Sequence, residues 1–147
     1  MIGLLFWLLT ALSCLYAAVF GGRDGRWAAF LIILASLLTI PAAMFGGRYG
    51  RFELDVFLVD TSLLLGLYML AMASRRWWPL WMTGFHLVAV TSHLSAAVAT
   101  GFVADAYLAA ASFWAIPMSI AMIVGVTLDH RATREGNHTH DRVDRSL

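Results

Sequence analysis

The chain has 147 residues and a mass of 16.2 kDa, room for one domain. With 61% hydrophobic residues, 13% charged residues and a mean hydropathy of +0.76, it lies far from soluble domains, which are about 45–50% apolar and about 25% charged. Its net charge is +1, and eight of its 19 charged side chains fall in the last 19 positions, Asp129 to Leu147; a soluble globular domain, a nucleic-acid binder and a disordered chain are excluded, and the single cysteine, Cys14, excludes an internal disulfide.

Charges and glycines divide the rest into five apolar stretches: Ile2–Phe20, Trp27–Phe45, Leu54–Ser74, Trp78–Thr100 and Phe102–Leu128. A helix needs about 20 residues to cross a hydrocarbon core about 30 Å thick. Backbone groups in lipid have no partner but each other, so such segments form helices. The fold expected is therefore all-α: a polytopic membrane protein whose residues 1–128 form a compact up-down bundle of five transmembrane helices. Residues 129–147 read as a flexible polar tail.

The first stretch lacks basic residues ahead of it and is too long for the apolar part of a signal peptide. Ala11-Leu12-Ser13-Cys14 has the residue types of a lipoprotein cleavage box but lies inside the apolar run, so lipidation is not expected. Phe20-Gly21-Gly22-Arg23-Asp24-Gly25-Arg26 then reappears, 25 positions on, as Phe45-Gly46-Gly47-Arg48-Tyr49-Gly50-Arg51; the ungapped segments 2–26 and 27–51 share ten identities. The period matches one crossing, which reads as a duplicated helix plus loop. Glycine suits a tight interhelical turn there, and Arg23, Arg26, Arg48 and Arg51 can snorkel to lipid phosphates.

The third loop, Arg75-Arg76-Trp77-Trp78-Pro79-Leu80-Trp81, reads as an interface anchor: Arg75 and Arg76 at headgroup level, Trp77, Trp78 and Trp81 in the amphipathic zone, and Pro79 in a first helical turn. Pro41 and Pro117 are expected to kink the second and fifth helices. All ten basic residues are arginine, and five crossings place eight of them on one side and two on the other. By the positive-inside trend the N-terminus is outside and the tail cytoplasmic, as in a bacterial inner membrane.

Ionisable residues inside a span are costly, which makes them pointers to function. They are Asp60, His86, His93 and Asp105, with Tyr107 beside the last. At about 1.5 Å per residue, Asp60 and His93 each lie about 10 Å below the outer surface. Asp105 is shallower and His86 just past the middle. Thr83, His86, His93 and Thr100 share one face of the fourth helix, with Ser92, Ser95 and Ala96 nearby, a stripe that should face other helices. Asp60 and His93 are expected to pair inside the bundle.

Four roles compete for these residues: an interhelical hydrogen-bond lock, a proton or cation relay, a haem site and a catalytic metal site. His86 and His93 are seven residues apart on one helix, too far to ligate one iron from opposite faces. Asp60, His93 and Asp105 lack a paired ligand motif. No cofactor is therefore expected, haem and metal being the least favoured readings. His130, His138 and His140 in the tail read the same way. No catalytic motif appears, and the chain reads as a non-enzyme. The role expected is a non-catalytic accessory or structural subunit of a membrane assembly, packed in the lipid bilayer against itself or a larger complex. The alternative is a small transporter or proton- or cation-conducting protein that uses Asp60 and His93.

Overall fold

The computed structural model describes residues 2–45, 48–49, 52–98, 106 and 113–144. Five long helices account for nearly all of them: α1 (Ile2–Phe20), α2 (Gly22–Phe45), α3 (Leu54–Ala73), α4 (Trp78–Val98) and α5 (Ala115–Asp144). Consecutive helices pack side by side, and α5 closes back on α1. The result is a closed up-down ring in which the first and last helices, with an odd number of elements, run parallel. The helical bundle matches the expectation. Two segments, Gly22–Ala42 and Leu54–Ala73, are long and apolar enough to cross a membrane.

The two copies of the glycine repeat fold differently. In the first, Gly21 alone separates two helices, and Gly22 takes a left-handed φ of 62° that glycine adopts without strain. Residues expected to form a loop, Arg23 to Arg26, are instead the first turn of α2. Asp24 sits there at the positive end of the helix dipole, which favours the early start. A Cβ on Gly21 or Gly25 would collide with the Ala17 carbonyl, so the sharp reversal depends on both. In the second copy, β1 (Arg48–Tyr49) pairs antiparallel with β2 (Phe52–Glu53), Arg48 opposite Glu53 and Tyr49 opposite Phe52. Arg51 lies outside the described residues.

The last helix departs from two expectations. It continues through the charged segment to Asp144, so the tail is helical beyond Leu128 and not a flexible coil from Asp129. A switch from apolar to charged residues marks where burial ends; it does not stop a helix lacking glycine or proline at that point. Pro117 is the third residue of α5, where its missing N–H is one the first turn leaves unpaired anyway, so it caps a start and does not kink a middle. Most of the residues expected to begin the fifth span lie outside the described residues, Asp105 and Tyr107 among them.

Small and polar side chains line the inside of the ring and large apolar ones the outside. Ser13, Cys14, Ala17, Ala28, Ala29 and Ala35 are buried, as are Leu67, Met82, Met122 and Val126. Leu12, Leu15, Leu37, Leu65, Met69, Leu87 and Ile120 stand exposed. Small residues let the helix axes approach closely; Gly66 does so against Leu31.

Candidate functional site

Asp60 and His93 meet. His93 Nε2 lies 3.1 Å from Asp60 Oδ2. The register of the α3–α4 hairpin explains it: Asp60 is 13 residues before the end of α3 and His93 15 residues after the start of α4. Both therefore stand about 20 Å from the connecting turn, at 1.5 Å per residue. Each side chain is only 21% exposed. His86, two turns nearer that turn and buried, donates from Nε2 to the Asp60 carbonyl oxygen at 3.0 Å. A carbonyl can only accept, so Nε2 of His86 carries the proton. One residue of α3 thus engages both histidines of α4, through its side chain and its backbone.

The pair borders a central cavity of about 290 Å³ to which all five helices contribute. Trp7 and Thr10 come from α1, Ser36 and Thr39 from α2, and Met118 and Ser119 from α5. Ile32, Ala35, Leu63 and Ala89 supply apolar wall. That volume is near the lower end for small-molecule sites, with the usual mix of apolar lining and few polar groups. Towards the end of the ring where α4 begins, the space is filled by Leu67, Met82, Met122, Cys14 and Trp78, all 0–1% exposed. The cavity is blind on that side.

Thr83, His86, Ser92 and Ala96 are buried on α4, so its polar stripe faces the interior. The hydroxyls of Thr83 and Ser92 donate to carbonyls four residues back, at 2.8 and 2.9 Å, which satisfies them within their own helix. No buried side-chain nitrogen or oxygen among the described residues lacks a partner. Among the same residues no three His, Cys, Asp or Glu side chains converge on one metal position. Asp105, offered as a third ligand from sequence, and Tyr107 lie outside the described residues.

A second polar cluster, at the α4-start end of the ring, escaped the sequence reading. Arg76 Nη1 donates to Asp129 Oδ2 at 2.9 Å, and the Trp78 indole Nε1 donates to the same oxygen at 2.9 Å. Ser74 Oγ donates to Asp24 Oδ2 at 2.7 Å, and Arg76 Nε lies 3.7 Å from that oxygen. The cluster ties together the start of α2, the α3–α4 connection and the middle of α5. Trp78 is fully buried and therefore not an interface anchor, and Arg76 turns inward to two carboxylates. Gly125 makes room: a Cβ there would overlap the Trp78 side chain. Trp77, Trp81 and Arg75 remain exposed. Arg23, Arg26, Trp27 and Phe30 line a surface depression at the start of α2.

The site's chemistry is that of one carboxylate with a histidine partner in a partly dry space. With both imidazoles neutral it holds one net negative charge, which a proton on His93 or a bound cation would neutralise. No protein-family model, characterised protein or solved structure matches the chain.

Proposed function

We propose that this chain is a small five-span integral protein of a bacterial inner membrane, with its tail in the cytoplasm, that binds a proton or a cation at Asp60 and His93 in the centre of its bundle. Its lipid-facing character is supported by the apolar outer surface of all five helices. The two clearest spans are only 28% and 17% buried within the bundle, whereas a core helix of a water-soluble protein would be mostly buried. Thirty-odd ångströms of hydrocarbon would cover those side chains. Orientation rests on the eight-to-two arginine asymmetry.

The observation that carries the function is the Asp60–His93 contact on the wall of a cavity built by all five helices. An ionisable pair held at membrane depth is a costly feature, and here it borders space a ligand or several waters can occupy. Loading from the outer half, as in a carrier or sensor, is supported by the packing of Leu67, Met82, Met122, Cys14 and Trp78 at the other end of the cavity. The test is the imidazole spectrum of nitrogen-labelled protein in lipid nanodiscs. His93 should gain a proton as pH falls, and Asp60→Asn should move that transition. A His93 signal indifferent to pH and to Asp60 overturns the reading.

A second reading has its own support: every buried polar side chain among the described residues is satisfied, which suits a packing lock in a non-catalytic accessory subunit. In that case Asp60→Asn and His93→Ala would change bundle stability and nothing else, and a larger partner would co-purify in mild detergent.

A further inference from the structure

We infer that the ligand of the central cavity is a small organic ammonium ion, held on the Asp60 carboxylate against the Trp7 indole and displaced when His93 takes up a proton. The inference rests on the proton-or-cation reading of the site and names the class of cation.

Three observations select it. The first is charge: among the described residues lining the cavity, Asp60 is the only acidic side chain and none is an arginine, so anions are disfavoured. The second is the donor set. A bare metal ion requires several oxygen or nitrogen ligands around one point, and no such group converges among the described residues. The third is size and wall. About 290 Å³ bounded by Ile32, Leu63, Met118 and the Trp7 ring far exceeds an inorganic ion and suits a body with apolar surface. Alkylammonium groups are attracted by an aromatic face as well as by a carboxylate.

The same contact supplies the competition. Among the described residues lining the cavity, the titratable ones are Asp60 from α3 and His86 and His93 from α4, while α1, α2 and α5 add Trp7 and Thr10, Ser36 and Thr39, and Ser119. One negative charge can be neutralised by one cation. A proton placed on His93, 3.1 Å from the carboxylate, leaves no net charge for an ammonium ion. Binding should therefore weaken as pH falls.

The test is direct binding to the full-length protein in nanodiscs with choline as the probe. It is compared with the uncharged carbon isostere, in which a tert-butyl group replaces trimethylammonium. Choline should bind saturably, and the isostere at least about tenfold more weakly. Acidification should release choline from the native protein, and whatever choline affinity His93→Gln retains should lose most of that pH response. Asp60→Asn should lose the preference for the charged probe. Equal affinity for both probes, or choline affinity unchanged by Asp60→Asn, overturns the inference. The probe comparison on the native chain decides it even if a variant fails to fold. If choline does not bind while the His93 signal still titrates under Asp60 control, the ammonium assignment fails and proton binding stands; if neither occurs, both fail.

Discussion

Trp78 and Asp129 are 51 positions apart in sequence and joined by one hydrogen bond, from the indole Nε1 to Oδ2 at 2.9 Å. The bond locks the start of α4 to the middle of α5 and so closes the ring at the end where Arg76 also reaches Asp129. Because the indole is fully buried while Arg76 is 34% exposed, the two partners of Asp129 differ in how much water can replace the carboxylate.

Asp129→Ala strands a buried N–H, which costs about 1–3 kcal/mol. Arg76→Ala removes a half-exposed ion pair and should cost less than about 1 kcal/mol, since Trp78 keeps its acceptor. Unfolding by detergent titration, followed by tryptophan fluorescence, measures both. Equal losses, or a larger loss for Arg76→Ala, would show that the indole bond contributes little.

Gly125 should be the least replaceable glycine in α5. A Cβ there meets Trp78 next to its backbone, where no side-chain rotation relieves the overlap, so the helices must separate. Gly125→Ala is expected to destabilise by about 1–3 kcal/mol, against the gain of up to about 1 kcal/mol that alanine brings to a helix. Gly84→Ala, with nothing within 4 Å of the added carbon, is the control and should be neutral or stabilising. A tolerant Gly125 would mean the α4–α5 contact is looser than described.

These two features also show where sequence reading stopped. The Asp60–His93 contact was legible because a short connection fixes the register of α3 against α4, and counting residues from the turn then gives depth. Burial of Trp78 was not legible, since an indole just after two arginines suits a membrane interface as well as a core. What decides is Gly125 on another helix, and no local pattern links the two. Likewise a charged segment after Leu128 signals the end of burial, while the helix continues because no proline interrupts it. The glycine repeat predicted equal loops, yet Asp24 at the first copy and Tyr49 at the second give each a different continuation.

The state of the Asp60–His93 pair can be read from its coupling energy. Hydrogen bonds between membrane helices average about 0.6 kcal/mol in double-mutant cycles, and charge-assisted ones are roughly twice as strong as neutral ones. A cycle of Asp60→Asn, His93→Ala and both should give more than about 1 kcal/mol if the pair is ionised. It should approach about 0.6 kcal/mol if the pair is a neutral hydrogen bond. A coupling of zero would mean that the two side chains do not interact in the folded protein, despite their 3.1 Å separation.

Topology is open to a labelling experiment that this chain makes simple. Its one thiol, Cys14, is 1% exposed and should stay unreactive towards a membrane-impermeant maleimide in the folded protein. Single cysteines introduced by substitution then report their own compartment. Arg75→Cys in the α3–α4 connection and Arg131→Cys in α5 are both exposed positions at the same end of the ring. They should label only after cells are opened if that end is cytoplasmic, as proposed from the arginine asymmetry. Leu54→Cys, 39% exposed at the start of α3, lies at the opposite end and should label in intact cells. Labelling of Leu54→Cys and Arg131→Cys from the same side would reject a five-span ring, because antiparallel neighbours with an odd number of crossings must put those two positions in different compartments.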